Sequence, residues 1–292
     1  MPRILTLVAD RTAESLSPAA IAQVRDVVQG GEPVVLSPGE AADIPLRAVP
    51  DLAALRAALG AARIDAIVTD TAGRRKQLLV ADMDSTIVTG ETLDELADFA
   101  GLKDRIAAIT ARAMNGELDF KSALRERVAM LRGLNLDALH RTWERVRLTG
   151  GARELVATMR ANGARTVLVS GGFSFFTSRV AALCGFDEQR SNTLLDDGTA
   201  LTGAVAEPIL DRDTKLAALT GLAAALRLPM SATLAVGDGA NDLDMLQAAG
   251  LGVAFHAKPI VAASARARVD HADLRALLFA QGYPARVFAG AS

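Results

Sequence analysis

Three short apolar runs, each followed directly by acidic, hydroxyl or glycine residues, constrain the fold of this chain most strongly. The runs with their polar ends are residues 78–84, 166–172 and 234–242. Segments with helical periodicity separate them, and such alternation predicts a parallel, doubly wound α/β sheet. Ligands of such sheets bind beyond the carboxyl ends of the strands. The sequence therefore predicts one site to which all three ends contribute.

Asp82 and Asp84 stand two residues apart at the end of the first run. Two carboxylates at a strand end can divide a phosphoryl transfer, because Asp82 can attack phosphorus while Asp84 handles the proton. An isolated pair of this kind more often serves a turn or a helix cap. The motifs that follow downstream, in a definite order, favour the catalytic interpretation.

The downstream motifs supply what a phosphoryl transfer needs. Mg²⁺ prefers a few carboxylate oxygens plus water, and Asp82 and Asp238 can provide them. The charge on the transferred group needs fixed donors, which the Ser170 hydroxyl, the Gly171 N–H and the Lys215 ammonium can supply. We therefore predict a combined magnesium and phosphate site.

The residues next to these donors and carboxylates also support this prediction. Gly171 and Gly172 allow the backbone to approach closely because they lack Cβ. Asp242 can orient Lys215 or a metal-bound water from behind the metal, and Asn241 can donate to the substrate. Each of these motifs alone is commonly a loop, a turn or a solvated helix start. Their joint occurrence at strand ends is what favours a site.

The four motifs resemble those of the haloacid dehalogenase-like phosphatase superfamily, and within it the chain is similar to the phosphoserine phosphatases over roughly residues 77–285. The segments that carry the finer resemblance are Asp82-Met-Asp-Ser-Thr followed by Glu91, Phe120-Lys-Ser-Ala-Leu-Arg-Glu-Arg127, and Val-Ser170-Gly-Gly-Phe. The resemblance implies Mg²⁺-dependent hydrolysis of O-phospho-L-serine to L-serine and phosphate, the last step of serine biosynthesis.

The resemblance also implies a role for each catalytic residue. Asp82 would become an aspartyl phosphate, while Asp84 protonates the departing serine oxygen and later deprotonates water. Ser170 and Lys215 complete the catalytic set. In the family, Mg²⁺ is held by Asp82, the backbone carbonyl of Asp84, and Asp238.

The segment of about residues 90–150 has helix-period patterning and predicts a helical cap over the strand ends, inserted after the first core strand. Phe120 and Arg127, seven residues apart, fall on one helix face. Arg127 can bind a carboxylate and Glu91 can accept from an ammonium, which together describe a phosphorylated α-amino acid. By periodicity Met114 and Phe120 are core residues, and the resemblance makes both of them candidates for the substrate pocket.

Other functions remain open on the sequence alone. A phosphomutase shares the aspartyl phosphate but returns the phosphoryl group to its product. Signalling receivers also use a phosphoacceptor Asp, but they are shorter and lack a helical insertion. The cap is basic, yet acidic residues alternate with the basic ones and the formal net charge is −2, which argues for a solvated face over a nucleic-acid surface.

The first 75 residues predict a small α/β unit ahead of a phosphatase domain of residues 76–292. The predicted strands are 3–9, 33–37, 44–49 and 64–69, and the predicted helices are 17–29 and 51–59. The order β-α-β-β-α-β is that of a ferredoxin-like sandwich. The unit resembles small amino-acid-sensing modules, and a dimerisation or packing role is equally open. Residues 73–76 are the predicted linker, whose charge run needs no function.

Further elements are predicted for the main domain. Helices are expected at 151–162 and 216–227, and another strand at 251–255. Residues 191–195 and 200–206 predict a β-hairpin that turns at an Asp-Gly pair.

Composition sets the expected cellular context. The chain has 292 residues, half of them hydrophobic, which suffices for two domains. The single cysteine, Cys184, excludes an internal disulfide and predicts a reducing compartment. The amino terminus lacks the apolar region of a signal peptide, and no uncharged apolar run approaches the ~18 residues of a membrane span. We expect a cytoplasmic enzyme with a small-molecule substrate, no membrane or nucleic-acid partner, and a homodimer as an open question.

Overall fold

The computed structural model describes residues 2–13, 15–48, 50–115 and 117–290. Within these ranges it contains a four-stranded antiparallel sheet near the amino terminus, a six-stranded parallel sheet and a two-stranded hairpin. The predicted fold class, a doubly wound α/β core with a helical cap and a small amino-terminal α/β unit, is confirmed.

The antiparallel sheet has the predicted order of elements. Its strands and helices are β1 (Arg3–Ala9), α1 (Pro18–Val27), β2 (Val34–Ser37), β3 (Ala41–Leu46), α2 (Leu52–Leu59) and β4 (Ile64–Asp70). In space the strands follow the order β2-β3-β1-β4, and the neighbouring pairs are antiparallel. Ser17 caps α1 by accepting a hydrogen bond from the Ala20 N–H at 3.1 Å, with Pro18 in the first turn. This is a ferredoxin-like sandwich, as predicted.

Strand β3 begins at Ala41, three residues before the predicted start at residue 44. The prediction missed this part because Asp43 interrupts the apolar pattern. In the structure the Asp43 carboxylate is buried and accepts a hydrogen bond from the Thr6 hydroxyl at 2.8 Å, so a charged residue is accommodated inside the sheet. The predicted end of this strand at Val49 lies outside the described residues.

The remaining strands belong to the main domain. They are β5 (Leu78–Ala81), β6 (Arg165–Phe173), β7 (Glu188–Asn192), β8 (Leu194–Asp196), β9 (Leu201–Val205), β10 (Thr233–Gly237), β11 (Leu251–Phe255) and β12 (Ala267–Val269). The parallel sheet has the order β12-β11-β10-β5-β6-β7, and β8 pairs with β9 in the hairpin. Strand β5, which ends just before Asp82, thus lies inside the sheet, with β10 and β6 on either side.

Both edge strands of the parallel sheet escaped prediction. Strand β7 is polar throughout, and β12 has only three residues, so neither gives an apolar signal. The predicted hairpin strand at 191–195 was wrong at its start. Residues 191 and 192 complete β7, and the hairpin begins at Leu194.

In the described ranges, four helices form the cap between β5 and β6, and six more flank the sheet or follow it. The cap helices are α3 (Thr92–Asp98), α4 (Lys103–Met114), α5 (Phe120–Ala129) and α6 (Asp137–Arg145). The others are α7 (Ala152–Ala161), α8 (Ser174–Cys184), α9 (Arg212–Ala225), α10 (Leu243–Ala248), α11 (Pro259–Ser264) and α12 (Ala276–Ala280). Leu79 and Ala81 of β5 pack with α7 and α8 on one face, while Leu78 and Val80 pack with α9 and α10 on the other.

The amino-terminal unit shares a core with the main domain. Val8 on β1 and Ile67 on β4 belong to the same buried apolar cluster as Leu277 and Leu278 of α12. The two sheets are therefore joined through apolar packing as well as through the chain.

Arg74, within the predicted linker, fastens this junction. Its guanidinium donates to both oxygens of the Asp43 carboxylate, at 2.6 and 2.7 Å. It also donates to the backbone carbonyls of Ala280 at 2.9 Å and Phe279 at 3.1 Å. The charged linker was predicted to need no function, yet one of its charges, that of Arg74, forms buried hydrogen bonds between the two units.

Asp65 on β4 makes a second polar tie. Its carboxylate accepts the backbone N–H groups of residues 270–272 at 2.7 to 3.1 Å. The boundary at residue 75 remains our proposal for dividing the chain. Across the described ranges, every helix is too short or too polar to cross a bilayer.

Candidate active site

The ends of the three apolar runs lie side by side, as predicted. Ala81 at the end of β5 pairs with Val236 of β10 on one side and with Leu168 of β6 on the other. Asp82 follows directly in extended conformation, and Asp84 lies in the tight turn over residues 83–87 that comes next. The polar ends of all three strands therefore meet at one edge of the sheet.

Asp82, Asp238 and Asp242 form a buried acidic cluster. One carboxylate oxygen from each lies within 4.8 Å of the others. Burial, Asp82 and Asp242 raise the pKa of Asp238 well above its ordinary value. Both carboxylate oxygens of Asp238 are buried with no hydrogen-bond partner, although the Lys258 ammonium lies 3.9 Å from one of them. Buried carboxylate oxygens without donors are what a hard divalent cation requires, so these residues fit a metal site.

Lys215 lies between two members of this cluster. Its ammonium is 2.7 Å from Asp82 Oδ1 and 2.6 Å from Asp242 Oδ1. Burial alone would lower its pKa, but Asp242 and Asp82 outweigh that effect and the pKa is raised. The predicted role of Asp242 in orienting Lys215 agrees with these distances.

The helix that carries Lys215 starts earlier than predicted. Residues 216–227 gave the apolar signal, whereas α9 begins at Arg212. Asp211 and Thr214 form a capping box there, which fixes the first turn of the helix. Lys215 is thus held on a rigid helical turn that points it into the cluster.

Asp84 is held by two donors from opposite sides. The Thr92 backbone N–H donates to Asp84 Oδ1 at 2.8 Å, and the Ser170 hydroxyl donates to Asp84 Oδ2 at 3.3 Å. Burial raises the pKa of Asp84, and the bond from Thr92 opposes that shift. A carboxyl group with a raised pKa is suited to carry a proton to a leaving group. The acidic cluster consists of the carboxylates of Asp82, Asp238 and Asp242, so the predicted metal contact through the Asp84 backbone carbonyl stays a prediction.

The two glycines near the carboxyl end of β6, Gly171 and Gly172, are required by close contacts. A Cβ on Gly171 would lie 2.6 Å from the ring of Phe120, which descends from the cap. A Cβ on Gly172 would lie 2.8 Å from Asp84 Oδ2. The Gly172 N–H also donates to the Ser170 hydroxyl at 2.8 Å, so backbone and side chain are locked together.

A cavity between the cap and the strand ends brings most of the predicted residues together. The predicted residues that line it are Asp82, Asp84, Glu91, Phe120, Arg127, Ser170, Gly171 and Asn241. Lys215, Asp238 and Asp242 lie buried beneath this cavity. The side chain of Met114 lies outside the described part of the structure.

Arg127 and Glu91 line this cavity from the cap side. Burial lowers the pKa of Arg127, with Asp94 opposing that shift. The Glu91 carboxylate accepts a hydrogen bond from the Ser85 hydroxyl at 2.6 Å. Burial and the nearby Asp84 raise the pKa of Glu91 to about 7. Cationic and anionic groups thus face the same space in which Asp82 and Asp84 end.

Several residues around the site were missed by sequence reasoning. Ser85, inside the first motif, has a positive φ of 54°, and only its place in the motif was a signal. Thr110 contacts both Asp94 and Arg127 only because cap helices cross in space, which no local pattern reveals. Lys258 approaches Asp238 from the loop after β11.

The basic residues of the cap rim are partly exposed, as expected of a solvated face, but two of them reach the core domain. Lys121 lies 2.8 Å from Asp211, and Arg125 lies 2.7 Å from Glu207. These pairs connect α5 with the approach to α9.

A model of the haloacid dehalogenase-like hydrolase family matches residues 79–247. The phosphoserine phosphatase of Streptomyces coelicolor is 43% identical over 238 residues, which cover 82% of this chain and 57% of that protein. The phosphoserine phosphatase of Streptococcus thermophilus is 45% identical over 199 residues, covering 68% of this chain and 93% of that protein. A solved structure described as a phospho-aspartyl intermediate analogue of phosphoserine phosphatase shares 37% identity at a TM-score of 0.67, covering 70% of this chain and 98% of that one.

This chain spans a little over half the length of several curated relatives, among them the Streptomyces protein. The family match runs from β5 to α10 and so includes the strand ends that carry the acidic cluster. Phosphatases of that family generally use a divalent metal, and the buried carboxylates at the strand ends of this chain suit one. Both the sequence match and the site geometry lead to one conclusion: the chain belongs to the haloacid dehalogenase-like hydrolase family.

Proposed function

We propose that this protein is a phosphoserine phosphatase, which hydrolyses O-phospho-L-serine to L-serine and phosphate with Mg²⁺ as its cofactor. The observation that carries the proposal is the cavity in which Glu91 and Arg127 from the cap face Asp82 and Asp84 from the sheet. The cap side matches an ammonium and a carboxylate, and the sheet side matches a phosphate ester. Relatives named phosphoserine phosphatase support the same substrate.

Asp82 is the proposed nucleophile. Its attack forms a bond from a carboxylate oxygen to phosphorus and breaks the bond from phosphorus to the serine oxygen. The Lys215 ammonium, 2.7 Å from Asp82 Oδ1, fixes the direction of this carboxylate and offsets negative charge.

Asp84 is the proposed acid and then base. Its carboxyl proton passes to the serine oxygen as that oxygen leaves, which accords with the raised pKa of this buried group. The resulting carboxylate takes a proton from water, which attacks phosphorus and breaks the bond to Asp82. Phosphate is released and Asp84 is protonated again.

Asp82, Asp238 and the backbone carbonyl of Asp84 would hold Mg²⁺. When bound, the ion supplies positive charge that lets an anionic nucleophile approach an anionic phosphate. The Ser170 hydroxyl and the Gly171 N–H are the proposed donors to the phosphoryl oxygens.

Substrate selection is assigned to the cap. Arg127 would bind the substrate carboxylate and Glu91 its ammonium, while the ring of Phe120 covers Gly171. Asn241 Oδ1 is buried without a hydrogen-bond partner, which makes it a further acceptor for the substrate ammonium. Met114 stays a proposed pocket residue.

The setting of the enzyme is also a proposal. The single cysteine, Cys184, is buried and free, and we propose a reducing, cytoplasmic environment. For the amino-terminal unit we propose a packing role within the chain, because Val8, Leu36, Ala41 and Ile67 join the main core, although most of its buried apolar residues form a cluster of their own. A role in forming a homodimer is compatible with that proposal.

The test is a substrate panel with purified protein and Mg²⁺: phosphoserine, phosphothreonine, sugar phosphates and p-nitrophenyl phosphate. We expect phosphoserine to have the highest kcat/KM, measured by release of inorganic phosphate. Better cleavage of sugar phosphates would overturn the substrate, and a long-lived phosphorylated Asp82 without turnover would overturn the enzymatic function.

A further inference from the structure

Arg127 is a buried cation without a direct ion pair among the residues that the structure describes. Only 6% of it is exposed. Its Nε donates to the Ala123 carbonyl at 3.2 Å, and its Nη1 donates to the Thr110 hydroxyl at 2.9 Å. A guanidinium has five N–H donors, so these two bonds leave most of it available to a ligand in the cavity.

The Thr110 hydroxyl connects the Arg127 guanidinium to a buried carboxylate, that of Asp94. Its hydroxyl accepts from Arg127 and donates to Asp94 Oδ1 at 2.7 Å. The Ile106 carbonyl, one helical turn back, lies 3.1 Å away and is the weaker acceptor. Thr110 and Asp94 are 4% and 9% exposed, so solvent does not replace these bonds.

The chain of bonds ties three cap helices together behind the cavity. Asp94 is on α3, Thr110 on α4 and Arg127 on α5. Thr110 and Arg127 line the cavity, whereas Asp94 lies behind them. Asp94 has no place in the proposed chemistry, yet a buried carboxylate is costly unless its charge is used.

We propose that Thr110 and Asp94 are positioning residues that set the orientation of Arg127 for the substrate carboxylate, an inference that rests on the proposed function. Asp94 attracts the guanidinium from behind, and the Thr110 hydroxyl fixes its angle and leaves the outer N–H groups directed at the cavity. A direct Asp94–Arg127 ion pair would instead occupy the paired N–H groups of the guanidinium that the substrate carboxylate needs. This chain of hydrogen bonds from Arg127 through Thr110 to Asp94, called the relay, balances the buried charge of Arg127. It leaves the paired N–H groups of the guanidinium available to the substrate.

The test compares kcat/KM for phosphoserine with that for p-nitrophenyl phosphate, which has no carboxylate. Thr110→Val nearly keeps the side-chain shape but removes both hydrogen bonds. We expect it to lower the ratio about tenfold, mainly through a higher KM for phosphoserine, because a hydrogen bond to a charged group is lost. Thr110→Ser should restore most of the ratio.

Thr142→Val is the matched control. Thr142 is also buried in a cap helix and also bonds to a carbonyl one turn back, that of Ala138 at 2.8 Å, but it does not line the cavity. This variant should keep the ratio. Asp94→Asn serves as a second variant if Thr110→Val fails to fold, and it should lower the ratio in the same direction.

A double variant shows whether Thr110 acts through Arg127. In an Arg127→Ala background, Thr110→Val should have no further effect on the ratio. The relay would be overturned if the two substitutions lowered the ratio multiplicatively in the double variant. It would also be overturned if Thr110→Val alone had the ratio of the wild type. A wild type without preference for phosphoserine over p-nitrophenyl phosphate would overturn the proposed function as well, whereas a wild-type preference with an unchanged ratio in Thr110→Val would overturn the relay alone.

Discussion

The active-site cavity and the junction between the two sheets both bury charged side chains, but they differ in how far the chain itself hydrogen-bonds the buried polar atoms. At the junction Asp65 accepts three backbone N–H bonds, and Arg74 faces a carboxylate and two carbonyls. In the cavity region Asp238 and Asn241 leave buried oxygens without hydrogen bonds. The junction has one such atom among the described residues, Arg275 Nε.

The difference separates structural polar groups from functional ones. A buried polar atom without a partner costs about 1–3 kcal/mol, so folds normally satisfy such atoms. Where a site leaves them unsatisfied, a ligand must complete them, and the cost reappears as ligand affinity. We therefore expect metal and substrate to complete the polar groups of the cavity, whereas at the junction the chain itself supplies the partners of Asp65 and Arg74.

The largest effect is expected from Asp82→Asn. The amide keeps the shape of the side chain but is no nucleophile, so phosphate release should fall by at least about a thousandfold. Acid quenching during turnover should trap a phosphoenzyme in the wild type and none in the variant. Asp137→Asn, an exposed aspartate at the start of α6, is the control. Appreciable turnover in Asp82→Asn would remove this residue as the nucleophile.

The next largest effect concerns stability at the junction. Arg74→Met leaves the buried Asp43 carboxylate without its cation and should lower the free energy of unfolding by about 3 kcal/mol, measured by urea titration and circular dichroism. Arg3→Met removes an exposed pair with Asp70 and should cost less than about 1 kcal/mol. Arg127→Met should cost clearly less than Arg74→Met, because Arg127 has no direct ion pair to lose within the described part of the chain. If Arg74→Met and Arg127→Met lowered the free energy of unfolding equally, the proposed difference between the junction and the cavity would be wrong.

Ser85→Gly should separate function from stability within the site. Ser85 has a φ of 54°, which glycine adopts more easily, so the variant should be as stable as the wild type or up to about 1 kcal/mol more stable. The lost hydrogen bond to Glu91 should raise the KM for phosphoserine by about fivefold. Ser85→Ala keeps Cβ and should show the same KM without the gain in thermal stability. An unchanged KM in both variants would mean that the hydroxyl has no part in recognition.

The smallest expected effect is a pH dependence carried by Glu91. Its pKa of about 7 means that the carboxylate is largely protonated at pH 6 and largely charged at pH 8. Because only the charged form attracts an ammonium, KM for phosphoserine should fall a few-fold as the pH rises through 7, relative to KM for p-nitrophenyl phosphate. That ratio is needed because phosphate monoesters themselves titrate near pH ~6. The ratio should lose its pH dependence in Glu91→Gln, and a dependence that persists would assign it to another group.

Sequence reasoning reached the residues whose chemistry follows from a strand end. Asp82, Ser170 and Asp238 lie where parallel strands must bring them, since the carboxyl ends of neighbouring strands meet at one edge. Phe120 and Arg127 were also predictable, because seven residues are two helical turns and place both on one face.

The rest depends on tertiary contacts that leave no local trace. Strands β7 and β12 are stabilised by pairing at the sheet edges, with little apolar pattern of their own. The bonds of Thr110 and of Arg74 join residues far apart in sequence. The start of α9 was missed because its first turn is held by a polar cap that breaks the apolar period.

The apolar cluster common to both sheets has a consequence for folding. Because Val8 and Ile67 complete the packing around Leu277, neither part has a fully covered interior without the other. The two parts should therefore melt together, as one calorimetric transition. The amino-terminal unit comes first in the chain order like an appended module, but its packing contributes to the stability of the domain that carries the site.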